Sequence, residues 1–562
     1  MLSRRDFLQV AAATAAIAGG PGRLTRVAAQ QLLDQAELLR FDSLGQVTLL
    51  HFADIHAQIM PLYFREPTWN LGVGEGRGQV PFVTGAEFLR RFNIAPGTAA
   101  AYALTDQDFV ALARSYGRVG GLDRMATLVK AIRAERPTNT LLIDGGDTWQ
   151  GSYTSLETRG ADMVRVMNAL GVDAMTAHWE FTFGQDRVKE LIKELKFPFI
   201  AGNVSDTTWN EEVFDGEAWF ERGGVRIAVI GQAFPYTPVA NPRYLMPDWS
   251  FGIHEDRLKA RVAKARAAGA GLVVLNSHNG FDVDRKLAGR VEGIDVILTA
   301  HTHDAVPEVV QVGRTLLVAS GSHGKFISRL DLEIKDRRVT AFRFKLIPIF
   351  SDAIRPDPEM AALVREIRAP YETTLGRVLG KTESLLYRRG NFAGTFDDLI
   401  VQALLAERDT EIAFSPGFRW GTTLLPGQDI RVEDVFSQTA ITYPKVYRQD
   451  MTGAFLHEIL EDVADNIFHP DPYYRQGGDM VRVGGLSFTI DVTRKIGRRI
   501  SDMTLLRTGQ PIDPARSYSV AGWASVNEGT QGPPAWDLVM RHIEHQKVVR
   551  IEENRSVHVV SG

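Results

Sequence analysis

The chain of 562 residues contains no cysteine. A disulfide framework, a thiolate metal site and a cysteine nucleophile are therefore excluded, although this absence does not by itself fix the compartment. Charge of one sign is not in excess either, because 64 Lys and Arg face 68 Asp and Glu and leave a formal net charge of -4. That balance gives no indication of a nucleic-acid-binding protein.

Long apolar runs, internal repeats and low-complexity tracts are also missing. No run approaches the roughly 20 apolar residues that a membrane-spanning helix needs. The hydrophobic content of 44% and the charged content of 23% are ordinary for a soluble globular protein. The length is sufficient for several domains of about 150 residues each.

The first 29 residues have the composition of an export leader. Arg4 and Arg5 precede a short, alanine-rich apolar stretch, and the small residues Val27 and Ala29 offer a cleavage site. This pattern resembles a twin-arginine signal peptide, whereas an uncleaved anchor is disfavoured because the stretch is short for a bilayer. Residues 1–29 are therefore predicted to direct the folded protein to the periplasm, with no membrane anchor in the mature form.

In the remaining chain, the pattern of predicted strands and helices changes near residue 350. From 45 to 345, apolar runs alternate with amphipathic helical patterns, which predicts an α/β domain. Residues 57–118 break this alternation as a long insertion, for which a functional role and disorder are both open. Residues 351–375 read as a linker helix, and residues 376–562 combine helices with short strands as a smaller α+β domain.

Acidic and imidazole residues stand where the apolar runs of the first domain end. Runs such as "VTLL", "TLLI", "LVVLN" and "VILTA" are typical of buried parallel strands, so polar residues after them can converge on one sheet edge. These residues are Asp54, His56, Asp147, His178, His278, His301 and His303. Carboxylates and imidazoles suit borderline-to-hard divalent metals. Seven are too many for one open catalytic ion, but they suit two ions that share a bridging carboxylate.

The motifs "HFADIHA", "LIDGGD", "AHWEF", "LNSHNG" and "LTAHTHD" resemble, in order and spacing, those of a calcineurin-type metallophosphoesterase domain. The later segments resemble a 5'-nucleotidase C-terminal domain, so the resemblance covers nearly the whole mature chain. It implies a layered fold in which β-sandwich sheets are flanked by helices, plus a C-terminal domain that binds substrate. One motif alone could be a histidine that caps a turn, but five in order are specific.

The same resemblance implies how the ligands divide between two Mn²⁺ ions. One ion would be held by Asp54, His56, Asp147 and His303. The other would be held by Asp147, His178, His278 and His301. Asp147 would bridge the two.

The segment 177–182 departs from the family pattern. Where nucleotidases have Gly-Asn-His-Glu-Phe-Asp, this chain has Ala-His-Trp-Glu-Phe-Thr. His178 can still coordinate a metal, but Trp179 replaces the histidine that assists the leaving oxygen, and Thr182 replaces the aspartate that orients it. An indole cannot donate and recover a proton at neutral pH, so the acid half of the usual chemistry is missing.

Two explanations follow from this departure. The enzyme is weakened or inactive, or its leaving group needs no proton, as with a thiolate or persulfide. The retained ligands favour the second explanation. The "AHWEFT" variant and the leader together resemble the thiosulfohydrolases of bacterial thiosulfate oxidation. That resemblance implies hydrolysis of a cysteine S-thiosulfonate on the sulfur carrier protein SoxYZ, with release of sulfate, by hydroxide that the two ions activate.

Substrate contacts are expected from the C-terminal domain. The segment "AFSPGFRWGTT" stands where nucleotidases carry an Asn-Gly-Gly-x-Arg loop for the substrate's anionic end. Arg419 occupies the arginine position, and its planar fork can grip sulfonate oxygens, unless it simply pairs with a surface carboxylate. Arg419, Phe418 and Trp420 are predicted to bind substrate. Arg419 and Trp179 are predicted to be catalytic, the alternative for Trp179 being that it only fills the space of the lost histidine.

Two other functions remain possible at this point. The first is a periplasmic 5'-nucleotidase or cyclic phosphodiesterase, which the missing His/Asp pair disfavours. The second is a metal-bearing scaffold that docks sulfur carriers without catalysis, which the full ligand set disfavours. Among the histidines outside the motifs, His323 in "GSHGK" lies nearest in sequence to His301 and His303.

Overall fold

The computed structural model describes residues 33–560, so the predicted export leader lies outside the described residues. Within that range, every helix is too short or too polar to cross a membrane.

Two β-sheets form the centre of the N-terminal part. The first sheet contains, in spatial order, the strands Arg338–Pro348, Phe326–Lys335, Val47–Phe52, Thr140–Asp144 and Ala174–Met175. The second sheet contains, in spatial order, the strands Val310–Val312, Thr315–Ala319, Val296–Thr299, Leu272–Ser277, Val225–Gln232 and Glu217–Arg222. The central strands of both sheets pair in parallel and are fully buried, as expected for strands covered on both faces.

The two sheets pack face to face, and helices cover their outer faces. Leu49 and Leu141 of the first sheet share one apolar core with Val229, Val274 and Leu298 of the second. The helices over the first sheet are Leu122–Glu135, Ala161–Leu170, Gln185–Glu194 and Pro358–Arg368. Those over the second sheet are Glu255–Ala267 and Phe281–Arg290. The layered α/β sandwich expected from the sequence is confirmed.

The region 57–118, predicted as an insertion, is folded. It contains the strand Pro61–Leu62, which pairs with Val119–Gly120, and the helices Gly85–Arg91, Ala99–Leu104 and Phe109–Tyr116. Its backbone also meets the C-terminal part. The Thr423 N–H donates to the Tyr63 carbonyl at 2.8 Å, and the Leu71 N–H donates to Asn391 Oδ1 at 2.6 Å. This region therefore helps to hold the two parts together.

Pro358–Arg368, within the predicted linker, lies against the N-terminal part. The Asp357 side chain accepts the Met360 N–H at 3.0 Å and caps the helix. Met360, Val364 and Ile367 follow at helical spacing and are buried in the core beneath the first sheet. The domain boundaries near residues 345 and 376 remain predictions.

The C-terminal part is α+β, as expected. One sheet contains the strands Tyr447–Thr452, Ser517–Gly522, Ile412–Gly417 and Asp479–Gly484, and a second contains Gln510–Pro511, Ile500–Leu505, Leu486–Asp491 and Val557–Val560. A small sheet contains Asp429–Arg431, Val378–Thr382 and Val548–Val549. The longer helices are Thr395–Arg408, Val432–Thr439, Gly453–Phe468 and Ala535–Gln546. Segments that carry Arg389, Arg419 and Gln476 contact the N-terminal part.

Candidate metal centre

The predicted ligands follow parallel strands at one edge of the sandwich. Asp54 comes two residues after Val47–Phe52, and Asp147 three residues after Thr140–Asp144. His278 directly follows Leu272–Ser277 in the second sheet. Because the carboxyl ends of parallel strands meet at one edge, residues far apart in sequence converge there.

The seven residues form two overlapping groups, and all of them are buried except His301, which is partly buried. Within each group the candidate ligand atoms lie within 4.8 Å of one another. One group contains Asp54, His56, Asp147 and His303, and the other contains Asp147, His178, His278 and His301. Asp147 is the member that both groups share.

The Asp147 carboxylate lies between imidazoles of both groups. Its Oδ2 is 3.1 Å from His178 Nδ1, 3.2 Å from His278 Nε2 and 3.7 Å from His56 Nε2. Its Oδ1 accepts the Trp179 N–H at 2.7 Å, which fixes the orientation of the carboxylate. A carboxylate in this position has the geometry of a bridging ligand.

Backbone carbonyls orient two of the imidazoles. His278 Nδ1 donates to the Gly145 carbonyl at 2.6 Å, and His301 Nε2 donates to the Gln476 carbonyl at 2.8 Å. Because Nε2 of His301 carries the hydrogen, its Nδ1 is left with a free lone pair. Nε2 of His278 lies 3.2 Å from the Asp147 carboxylate and becomes available to a metal when it loses its proton. Outer hydrogen bonds of this kind commonly set the tautomer of metal-binding histidines.

The chemistry of the donor set fits divalent metal ions. His56 Nε2 and His303 Nε2 lie only 3.1 Å apart in a buried setting. Among the described residues, His178 Nε2 and His303 Nδ1 have no hydrogen-bond partner although both atoms are buried. Buried polar atoms are rarely left without a partner, so this cluster of nitrogens and carboxylates is suited to bind cations.

Burial keeps most of the imidazoles neutral. It lowers the pKa of His178 to about 4 and holds the pKa values of His301 and His303 well below the usual range. At His278 burial acts in the same direction, but the charges of Asp147 and Asp54 outweigh it and raise the pKa to about 9. Metal binding would therefore compete with a proton at His278, and acid should oppose it.

The backbone at the centre is strained. Five of the seven candidate ligands have a positive φ, although none is glycine: Asp54 (53°), His56 (49°), Asp147 (58°), His301 (75°) and His303 (61°). Such conformations cost on the order of 1–3 kcal/mol each and persist only where the surroundings enforce them. Their concentration at one place is typical of a functional site.

Glu180 is one of the groups that enforce this geometry. Its buried carboxylate accepts backbone N–H groups of Thr148 at 2.6 Å, His178 at 2.8 Å, Trp149 at 3.1 Å and Asp147 at 3.2 Å. Four converging donors tie two ligand loops to one side chain. The sequence motif contains Glu180, but its role as an organiser of both loops is visible only in the structure.

An aromatic wall formed by Trp179, Phe418 and Trp420 lines a cavity of about 210 Å³ beside the centre. The Trp179 ring meets the ring edges of Phe418 at 5.4 Å and Trp420 at 5.1 Å between centroids. Phe418 and Trp420 stack on each other at 3.9 Å with an interplanar angle of 19°. Phe234 of the N-terminal part lies 4.1 Å from the rings of His178 and His301 and was not expected from the sequence.

Thr182, which stands in place of the nucleotidase aspartate, holds the two parts of the protein together. Its hydroxyl lies 2.7 Å from that of Thr442, and Thr442 also donates to the Thr182 carbonyl at 2.9 Å. The side chain at this position therefore contributes to the contact between the N-terminal and C-terminal parts.

Arg419 lines the cavity and is also partly engaged. It donates to the Thr302 carbonyl at 2.9 Å, and its Nη2 lies 3.2 Å from the Asp479 carboxylate, which is buried. Arg419 therefore does pair with a carboxylate, although that carboxylate is buried and not on the surface. Its contact with a substrate remains a prediction, as do those of Phe418 and Trp420.

His323, which the sequence singled out for its position, lies beside the centre. Its ring is 5.7 Å from those of His56 and His303 and stacks on Phe64 at 4.1 Å. His323 Nε2 accepts the Gly421 N–H at 3.1 Å, so Nδ1 carries the hydrogen and lies 2.8 Å from Ser322 Oγ. Both nitrogens are used within the protein, which indicates a structural role.

Comparisons with known proteins agree with this architecture. Residues 378–537 match the family described as "5'-nucleotidase, C-terminal domain". Bovine 5'-nucleotidase is 24% identical over 491 residues, which cover 79% of this chain and 82% of the bovine protein. The solved 5'-nucleotidase precursor from Thermus thermophilus shares the fold, with a TM-score of 0.73 and 20% identity over 92% of this chain and 100% of its own.

A higher similarity links the chain to the sulfate thiohydrolase SoxB of Thermus thermophilus. The two superpose with a TM-score of 0.90 at 36% identity, over 93% of this chain and 98% of that one. The fold, the site and these similarities show that the chain belongs to the 5'-nucleotidase family of hydrolases. Within that family it is a SoxB-like member.

Proposed function

We propose that the protein is a thiosulfohydrolase that cleaves a cysteine S-thiosulfonate on a sulfur carrier protein of the SoxYZ type and releases sulfate. The reaction is R–S–S–SO₃⁻ + H₂O → R–S–S⁻ + SO₄²⁻ + 2H⁺. The bond between the sulfonate sulfur and the adjacent sulfur breaks, and a new S–O bond forms. The carrier retains a persulfide.

The observation that carries this proposal is that, among the described residues that line the cavity, none outside the candidate ligands is placed to act as a general acid. Apart from the candidate ligands, the titratable groups among the described residues that line it are Tyr236, Arg419 and Asp479. The Tyr236 hydroxyl donates to the Tyr473 carbonyl, and burial raises its pKa. Burial also favours protonation of Asp479, but neighbouring arginines, with Arg419 first, outweigh it and lower its pKa. A leaving group that departs as an anion suits such a site.

Leaving-group acidity explains why sulfur chemistry is favoured. A thiol has a pKa near 8.5, whereas an alcohol is a far weaker acid, so an alkoxide needs help from a general acid and a sulfur anion does not. Trp179 stands where that acid would be, and its indole N–H does not titrate near neutral pH. The chain therefore suits a persulfide leaving group better than a ribose oxygen.

The residues of the chain have distinct parts in this proposal. The seven candidate ligands would hold two divalent ions, which we propose to be Mn²⁺, and when bound these ions would activate water and neutralise charge on the sulfonate. Arg419 would orient the sulfonate oxygens with the N–H groups of its fork that Asp479 and the Thr302 carbonyl leave free. Trp179, Phe418 and Trp420 would surround the extended arm of the carrier and exclude bulk water.

The alternative of a 5'-nucleotidase is less consistent with the aromatic wall. A nucleobase could stack between Phe418 and Trp420 only if the two rings stood apart with room for a third ring, whereas they stack directly on each other at 3.9 Å. Trp523 is edge-on to Phe418 at 5.7 Å and is anchored through its N–H to Ser415 Oγ at 2.9 Å. The stacking of Phe418 on Trp420 and the edge-on contact of Phe418 with Trp523 leave no space between these rings for a nucleobase.

The proposal is tested by following the oxygen that enters sulfate. The metal-replete protein is incubated in H₂¹⁸O with a carrier whose cysteine bears a thiosulfonate, and sulfate and carrier are analysed by mass spectrometry. Sulfate with one ¹⁸O and a carrier heavier than its free thiol by one sulfur are expected. Intact thiosulfonate after prolonged incubation, together with turnover of AMP by the same preparation, would favour the nucleotidase alternative instead.

We also propose that the protein reaches the periplasm by the twin-arginine route. Replacing both Arg4 and Arg5 by Lys should leave the precursor in the cytoplasm, because the paired arginines are the recognised feature of such leaders. Cell fractionation measures this, and Arg23→Lys in the same leader is the matched control. Export of the double variant at the control level would exclude this route.

A further inference from the structure

The loop His301–His303 supplies two candidate ligands and is held by the C-terminal part of the chain. Arg389 donates from Nη1 to the His303 carbonyl at 2.8 Å and from Nη2 to the Thr302 carbonyl at 2.9 Å. Its Nη2 also lies 3.1 Å from the Asp304 carboxylate. Three consecutive residues of the ligand loop are thus bound by one guanidinium group.

The position of Arg389 separates it from the substrate cavity. It is 3% exposed, and the described residues that line the cavity beside the centre include Arg419 but not Arg389. Glu66, whose carboxylate is 3.9 Å from Arg389 and 2.8 Å from Lys325 Nζ, partly balances its charge. Arg389 is therefore placed to act on the ligand loop without touching a substrate in the cavity.

The ligand loop requires such support. His301 and His303 both have positive φ, at 75° and 61°, a conformation that non-glycine residues adopt only when neighbouring contacts enforce it. Hydrogen bonds from a charged donor are stronger than neutral ones, and a rigid fork can fix two adjacent carbonyls at once. Removing the fork should let the loop relax and move the imidazoles away from their partners.

We propose that Arg389 is a positioning residue that sets the metal affinity of the centre by clamping Thr302, His303 and Asp304 from the C-terminal part. The C-terminal part then completes the metal centre in addition to any contact it makes with substrate. This inference depends on the metal centre and not on the identity of the substrate, so the two can fail separately.

The test measures Mn²⁺ binding to the metal-free protein, with free Mn²⁺ followed by its electron paramagnetic resonance signal. Arg389→Gln should lower the affinity for at least one of the two ions by about 10- to 100-fold, which is the range typical of lost hydrogen bonds to metal ligands. Arg389→Lys keeps a charged donor and should recover part of that loss. Arg499→Gln is the matched control, because Arg499 is also buried in the C-terminal part and pairs with Asp465 at 2.7 Å, away from the ligand loop.

A purely structural role gives a different result. In that case Arg389→Gln and Arg499→Gln would both lower the melting temperature of the metal-free protein, and both would bind two ions with wild-type affinity. That outcome would overturn the proposal. If Arg389→Gln does not fold, Arg389→Lys decides: weakened binding supports the clamp, and wild-type affinity for both ions contradicts it.

Discussion

Asp147→Asn is expected to weaken the binding of both ions and to lower turnover by more than about 100-fold. That factor is the upper end of the range for residues that only support a metal ligand. The substitution keeps the shape of the side chain and an oxygen that can accept the Trp179 N–H. It removes the negative charge that faces His178, His278 and His56 at 3.1–3.7 Å. Two quantities would be measured on the same sample: the metal content that remains after dialysis, and the rate of sulfate release.

Asp54→Asn is the matched control for this experiment. Asp54 is equally buried and has a similar backbone conformation, with φ at 53° against 58° for Asp147, but it belongs to only one of the two groups. We expect Asp54→Asn to lose one ion preferentially and Asp147→Asn to lose both. Two tightly held ions and wild-type turnover in Asp147→Asn would contradict the bridging role.

The double variant Trp179→His with Thr182→Asp should gain hydrolysis of AMP. These substitutions restore the residue types that nucleotidases carry at the two positions, and a positioned general acid typically contributes about 100- to 10,000-fold to such a reaction. The gain should be largest for AMP and small for an aryl phosphate whose leaving group is already acidic. Initial rates with both esters, at equal metal content, measure the difference.

Two variants control for side effects in that experiment. Trp179→Phe opens space beside Phe418 and Trp420 without adding a proton donor, so it should show no gain. Thr442→Val removes the hydroxyl that contacts Thr182 and reports what the lost contact between the domains does alone. If the double variant held two ions and still left AMP untouched, the missing pair would not be what limits phosphate ester hydrolysis.

The sequence was most informative where function depends on residues next to strands. Asp54, Asp147 and His278 follow buried parallel strands, and parallel strands must present their carboxyl ends at one edge, so the convergence of these residues could be predicted without a structure. The α/β class of the first domain followed from the same alternation of strands and helices, whereas its layered sandwich was implied by the family resemblance. The grouping of the ligands required the family resemblance, because spacing in sequence does not specify which residues share an ion.

The contributions of the C-terminal part could not be predicted in the same way. Arg389 binds the His303 carbonyl although the two residues are 86 positions apart in sequence, and the Gln476 carbonyl accepts a hydrogen bond from His301, 175 positions away. These contacts depend on how two domains dock, and neither "YRRGNF" nor "YRQGGD" carries a pattern for it. Gly477 illustrates the constraint: at φ +74°, a side chain here would lie 2.4 Å from His301 Nε2, so glycine is required for the close approach.

The aromatic wall was also only partly predictable from the sequence. The replacement of the nucleotidase histidine by Trp179 was evident from the sequence, and so was the loss of an acid. The mutual stacking of Phe418 and Trp420 was not, because two aromatic residues separated by one position in a loop can either face a ligand or pack on each other. Packing against Trp179, which belongs to the other part of the chain, decides between these two arrangements.

The central claim is that the site acts on a leaving group that needs no proton. Its most direct test compares initial rates for a thiosulfonated carrier, an activated aryl phosphate and AMP on one metal-replete preparation. Without a general acid, reactivity should follow leaving-group acidity, so the carrier should react fastest, the aryl phosphate next and AMP slowest. Hydrolysis of AMP at the rate of the carrier substrate would contradict the claim, and the protein would then be better described as a nucleotidase.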